Sequence, residues 1–160
     1  MTAHQSNAVE VGQAAPAFDL LDQHGEPISL ASLAGSPVLL YFYPKAMTPG
    51  CTQQSCLLRD VADQIGDARI VGISPDVPEK LGRFDQKYTL GFTLLSDPDH
   101  AVAEAYGAWG QKKLYGKVYD GIIRSAFLVD RAGTVAAAFP KISPKDTPNK
   151  LLAELQELSG

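Results

Sequence analysis

The sequence predicts an α/β fold, a central mixed β-sheet with helices on its faces. Three observations carry this. Val38-Leu39-Leu40-Tyr41-Phe42-Tyr43 and Ile70-Val71-Gly72-Ile73-Ser74 are mostly apolar runs without alternation, the pattern of strands buried on both faces. Each is followed by a stretch of helical spacing, which is the strand–helix alternation of α/β chains. Ser125 to Asp130 and Thr134 to Phe139 flank the turn Asp130-Arg131-Ala132-Gly133 and read as an antiparallel hairpin near the end of the chain.

The elements follow in order. Residues 1–15 read as a flexible start, 1–10 in particular. Ala17 to Leu21 and Glu26 to Ser29 flank the turn-rich Asp22-Gln23-His24-Gly25, which makes an N-terminal hairpin. Leu30 to Leu33 fits one helical turn, stopped by Gly35 and Pro37. Pro44 ends the first buried strand. A helix is expected from near Thr48 to about Ile65, because Leu57, Leu58, Val61, Ala62 and Ile65 recur at helical spacing. After the second buried strand, Pro75 and Pro78 open a helix running to about Tyr88. Phe92 to Leu95 is a short strand, and Asp97-Pro98-Asp99 starts a short helix through Tyr106. Gly107 to Gly121 has no clear period and reads as a long loop. Pro148 to Leu158 closes the chain as an amphipathic helix. With its N-terminal extension, this order matches a thioredoxin-like fold. No repeat, low-complexity tract or change of composition marks a second domain, so residues 1–160 are expected to form one domain.

Composition excludes several function classes. A net charge of −4 and a pI near 5.3 argue against nucleic acid, whose partners present a basic face. No apolar run approaches the roughly 20 residues that span a bilayer. The polar start Met1-Thr2-Ala3-His4-Gln5-Ser6-Asn7 lacks the basic and apolar regions of a signal peptide, so a cytoplasmic address is expected. No metal is expected, because His4, His24 and His100 are scattered and a structural zinc site wants four ligands at tight spacing.

The two cysteines, Cys51 and Cys56, are the chemically informative residues. In a reducing compartment such a pair points to catalysis more than to a structural staple. An ordinary cysteine has a pKa of about 8.5 and is mostly protonated at neutral pH. A helix N-terminus favours the anion through its unpaired N–H groups and dipole. Pro49 suits the first helical turn and puts Cys51 there. A free cysteine is otherwise most often a small buried hydrophobe, but Thr48, Pro49 and Gly50 surround this one with a hydroxyl and turn residues. Cys56 follows at i+5, roughly 500° around and about 7.5 Å along an ideal helix. That exceeds the roughly 7 Å between Cα atoms at which a disulfide closes without backbone movement. A bond between the two cysteines therefore requires the first turns to unwind. Cys56 as an ordinary core residue of the same helix remains the alternative.

The pattern Pro44-x-x-x-Thr48-x-x-Cys51, with the second cysteine five residues on, resembles the peroxiredoxins. It is similar in particular to the bacterioferritin comigratory protein, or PrxQ, subfamily. The resemblance extends through Val71 to Asp76, Phe92 to Asp97, Tyr115-Gly116-Lys117 and Gly121 to Phe127, and so covers nearly the whole chain after residue 10. It implies a thiol peroxidase acting on hydrogen peroxide and organic hydroperoxides, with no cofactor and a monomeric state. Cys51 would be the peroxidatic thiol, oxidised to a sulfenic acid. Cys56 would resolve it to an intramolecular disulfide, and thioredoxin or a similar dithiol would restore both thiols.

Arg124 would bring permanent charge to the sulfur and the leaving oxygen; otherwise it is a surface ion pair. The Thr48 hydroxyl would accept from peroxide and donate to the thiolate, and also fits a helix N-cap. Pro44 would shield the sulfur from water and also terminates the strand. Trp109, Tyr106 and Tyr115 read as loop packing, Lys112 and Lys113 as solvated. Two other functions are weighed. A disulfide carrier would need a C-x-x-C motif, which this chain lacks. A binding domain would use the loop Gly107 to Gly121 and carry incidental thiols.

Overall fold

The structure, a computed structural model, describes residues 9–159. Its strands are β1 (Asp19–Asp22), β2 (Pro27–Ser29), β3 (Val38–Phe42), β4 (Arg69–Ser74), β5 (Thr93–Ser96), β6 (Trp109–Leu114), β7 (Lys117–Ile122), β8 (Ser125–Val129) and β9 (Val135–Phe139). Seven of them build a central mixed sheet in the spatial order β2-β1-β5-β4-β3-β8-β9. β3, β4 and β5 run parallel, while β8, β9 and the β1–β2 hairpin pair antiparallel. The helices are α1 (Pro49–Asp60), α2 (Pro78–Tyr88), α3 (Ala101–Ala105) and α4 (Thr147–Ser159). This is the expected thioredoxin-like arrangement, with the N-terminal hairpin joined to the sheet through β1 and β5.

The unbroken apolar runs are explained by packing on both sides of the sheet. Leu39, Tyr41 and Tyr43 of β3 and its end face a core built with Leu58 of α1, Leu81 and Phe84 of α2, and Leu151 and Leu155 of α4. Val38, Leu40 and Phe42 face the other core, with Val102 and Ala103 of α3 and Phe127. β3 is buried at every position, as a central strand covered on both faces must be.

Close packing makes one glycine indispensable. Gly72 of β4 is the register partner of Tyr41, and a Cβ on it would lie 2.7 Å from the Tyr41 ring. Because neither side of this contact has free space, Gly72→Ala is expected to destabilise the fold by about 2 kcal/mol, in the range of overpacking in a dense core. Urea unfolding checks this, and an unchanged midpoint would contradict it.

Three expectations are corrected. First, residues 109–122 are not a loop but a separate antiparallel ribbon of β6 and β7. Its turn is Tyr115-Gly116, with φ of 53° and 78°, the positive pair that a tight two-residue hairpin needs. Second, the start of the chain is anchored as far as it is described. Gly12 donates to the Val135 carbonyl at 2.9 Å, Val135 donates back to Gln13 at 2.9 Å, and Ala15 donates to Gly133 at 2.9 Å. Backbone bonding along β9 explains this better than side-chain pattern, which is why no period marks the segment. Residues 1–8 lie outside the described residues. Third, α1 stops at Asp60 instead of about Ile65. Val61 leaves helical geometry at φ −103° and ψ 6°, and Ala62–Gln64 form a separate tight turn. No helix of the described residues is long and apolar enough to cross a membrane.

Candidate active site

The site is assembled by topology. β3 and β8 are antiparallel neighbours, with Phe42 opposite Ser125. The chain leaving β3 towards Pro44 and the chain entering β8 from Arg124 therefore meet at one end of this pair of central strands. α1 starts there. Arg124 reaches Cys51 across 73 residues of sequence because β8, which it precedes, lies beside β3, which leads into α1.

The segment between β3 and α1 is tightly specified. Met47 takes a left-handed backbone, φ 72°, which is uncommon for a side chain of its size. The Ala46 N–H donates to Asp76 Oδ2 at 2.7 Å, and the Ser74 hydroxyl donates to the same oxygen at 2.8 Å. Lys80 Nζ lies 3.1 Å from the other oxygen, Oδ1. Asp76 thus ties the loop to the end of β4 and the start of α2. Thr48 then adopts extended geometry at the N-cap position, Pro49 opens the helix, and Thr52 N–H makes a helical bond to Thr48 O at 2.9 Å.

Cys51 sits in the first turn of α1 and is fully buried. Arg124 Nη2 donates to its sulfur at 3.4 Å, and Nη1 donates to Gln54 Oε1 at 2.7 Å. Gly50 makes room for this: a Cβ there would come within 3.2 Å of Nη2. The sulfur is thus met by a helix N-terminus and a permanent cation. Both stabilise negative charge at that point, and the fork geometry of the guanidinium lets one arm be held while the other faces the sulfur.

The buried face of α1 is unusual. It consists of Cys51, Gln54, Ser55 and Leu58, at i, i+3, i+4 and i+7, so only its last member is a hydrocarbon. Of the apolar stripe expected from Leu57 to Ile65, Leu58 and Ile65 enter the core, Leu57 and Val61 are half-buried and Ala62 is exposed. Ser55 and Tyr41 share a hydrogen bond at 2.7 Å in the core. Burial raises the Tyr41 phenol far above its ordinary value, with the Ser55 bond opposing, so Tyr41 stays neutral and serves as structure. Cys56 is half-buried and packs at the margin of the same core. Both cysteines are free thiols, on a continuous helix that holds them on different faces.

The remaining expected site residues are placed as follows. Pro44 is half-buried just beyond β3. Thr48 stands at the N-cap position, but its hydroxyl does not cap the helix. It donates to the Lys45 carbonyl at 2.7 Å. The left-handed turn at Met47 folds that carbonyl back over it. The hydroxyl therefore offers lone pairs to a neighbour and no proton to the sulfur, which corrects both the N-cap and the thiolate-donor expectations. Arg124 is no surface ion pair, since its partners are Cys51 and Gln54.

Gln54, Asp76 and Lys112 were not marked by the sequence. Lys112, expected to be solvated, is half-buried on β6. Burial, and then the Arg124 charge, hold its ammonium below the usual lysine range, with Cys51 pulling the other way. It therefore lies within electrostatic reach of the site. Among the aromatics, Tyr106 is buried and donates to the Pro16 carbonyl at 2.7 Å. Trp109 stacks on His100 with ring centroids 3.7 Å apart. Tyr115, at 95% exposure, does not pack. No group of three or more His, Cys, Asp or Glu side chains among the described residues could hold a metal ion.

Comparison with known proteins gives the family. The profile of the AhpC/TSA family matches residues 11–138. The putative peroxiredoxin bcp of Haemophilus influenzae is 49% identical over 154 residues, covering 95% of this chain and 99% of the relative. Peroxiredoxin Bcp of Escherichia coli is 48% identical over 153 residues, covering 94% and 98%. Among solved structures, the Xanthomonas campestris bacterioferritin comigratory protein, studied for its alkyl peroxide reduction activity, superposes with a TM-score of 0.87 at 30% identity. That match covers 94% of this chain and all of the other. The chain belongs to the AhpC/TSA family, within the peroxiredoxins of the Bcp and PrxQ group.

Proposed function

We propose that this peroxiredoxin reduces hydrogen peroxide and organic hydroperoxides with Cys51 as the peroxidatic thiol and Cys56 as the resolving thiol. The observation that carries it is Arg124 Nη2 at 3.4 Å from a buried sulfur in the first turn of a helix. The alkyl peroxide activity of the Xanthomonas campestris relative brings organic hydroperoxides into the substrate class.

The Cys51 thiolate attacks the terminal peroxide oxygen. A sulfur–oxygen bond forms, the O–O bond breaks, and the leaving alkoxide or hydroxide takes a proton to become alcohol or water. Cys51 is then a sulfenic acid. Arg124 stabilises charge on the sulfur and on the leaving oxygen as the O–O bond lengthens. The Thr48 hydroxyl, its own proton spent on Lys45, accepts from the peroxide O–H and aligns it. Pro44 has no N–H to compete for the sulfur.

The Cys56 thiol then displaces water from the sulfenic acid and a disulfide forms. This step needs the first turns of α1 to open. Their buried face is held by polar bonds from Gln54 and Ser55 more than by hydrocarbon packing. Opening exchanges those bonds for bonds to water.

Thioredoxin is the proposed reductant and the cytoplasm the proposed location, with the chain acting as a monomer. β2 is blunted by its length of three residues, and Gln13 and Gly12 pair with Val135 at the start of β9, features that disfavour edge-to-edge association. A coupled assay tests the reductant. Peroxide added to the chain with thioredoxin, thioredoxin reductase and NADPH is expected to drive sustained NADPH oxidation. Turnover with dithiothreitol but none with thioredoxin would overturn the reductant and leave the peroxidase standing.

A further inference from the structure

We infer that Thr147, the first residue of α4, is a positioning residue for the Cys51 site, acting through Gln54 on the Arg124 guanidinium. The inference rests on the peroxidase reading above and adds a residue from the C-terminal helix to it.

Thr147 and Gln54 are both fully buried. The Thr147 hydroxyl donates to the Ser143 carbonyl at 2.8 Å. A hydroxyl has one proton, so towards Gln54 it only accepts, and Gln54 Nε2 donates to it at 2.9 Å. That fixes the orientation of the Gln54 amide. Its oxygen is left facing Arg124, whose Nη1 donates to it at 2.7 Å. With Nη1 held, Nη2 is the arm that faces the sulfur at 3.4 Å. A reversed amide would set an NH2 group against the guanidinium, donor against donor, in a buried site where an unmet donor is costly. The direction of every bond in this relay is therefore set by one backbone carbonyl, that of Ser143, in the turn before α4. Thr147 is 93 residues from Gln54 in sequence. Its hydroxyl bonds Gln54 and the Ser143 carbonyl, and through Gln54 it decides which end of that amide the guanidinium meets.

The test is the single-turnover rate of reduced protein with hydrogen peroxide, read as loss of free thiol after rapid quenching, alongside urea unfolding of each variant. Thr147→Val keeps the shape and removes the acceptor, and the rate is expected to fall about tenfold, the equivalent of one weakened hydrogen bond to a charged group. Thr147→Ser keeps the acceptor and restores most of the rate. In a Gln54→Glu background the carboxylate presents an oxygen to Arg124 either way round. There Thr147→Val is expected to lower stability but leave the Gln54→Glu rate where it was.

Three outcomes would overturn the inference: a Thr147→Val rate equal to native, a Thr147→Ser rate as low as that of Thr147→Val, or the same loss from Thr147→Val whether Gln54 is kept or replaced by glutamate. A native chain that does not react would show itself first and would bring down the peroxidase reading along with it.

Discussion

Cys51→Ser is expected to abolish peroxide consumption, leaving only the rate of the reductant alone. The reason is the nucleophile. A serine hydroxyl in the same place stays protonated and is a far weaker nucleophile than a thiolate, and Arg124 with a helix N-terminus cannot close that gap. The substitution is nearly isosteric, so the fold is expected to survive, with an unchanged circular dichroism spectrum. Peroxide consumption followed with dithiothreitol as reductant checks this. Activity retained in Cys51→Ser would move the reacting thiol to Cys56 and undo the site as described.

Arg124→Met is expected to lower the second-order rate constant with hydrogen peroxide by about two to three orders of magnitude, the range seen when one preorganised donor at a developing charge is removed. Methionine fills much of the same space but has no charge and no N–H. Both the Cys51 sulfur and the Gln54 oxygen lose their donor, and the leaving oxygen loses its counter-charge. Arg124→Lys is expected to fall between the two, since an ammonium keeps the charge but cannot serve Gln54 and the sulfur together in the fixed fork of a guanidinium. Stopped-flow measurement under single-turnover conditions separates this effect from recycling. An Arg124→Met rate within a few-fold of native would mean that the guanidinium is structural.

The parts of this molecule that were legible in the sequence are those whose cause is local. β3, β4 and β8 are buried on both faces, and an unbroken apolar run records that directly. The place of Cys51 followed from Pro49, because proline marks a first helical turn. Arg124 followed from the family pattern.

The β6–β7 ribbon was not legible. Most of its β7 strand is exposed, so neither alternation nor a continuous run marks it, and its turn uses Tyr115 in a left-handed conformation where asparagine or aspartate is usual. The rest of the site was hidden for another reason. Asp76 holds Ala46 and Thr147 holds Gln54 through bonds that span 30 and 93 residues, and such pairings exist only once the sheet has brought their segments together. One clue was present in α1. A helix that places Gln54 and Ser55 on its buried face beside Cys51 and Leu58 spends core positions on polar groups, which a purely structural helix would fill with hydrocarbon.

The proposed chemistry is divided between two thiols held apart by a helix. Intact mass and free-thiol count after one equivalent of hydrogen peroxide test it most directly, on the native chain and on Cys56→Ser. The native chain is expected to lose two hydrogens and both thiols, as a disulfide closes within one chain. Cys56→Ser is expected to gain a single oxygen on Cys51 and stop there. Unchanged mass and thiols in both chains, or an oxygen on the native chain with no disulfide, would contradict the account.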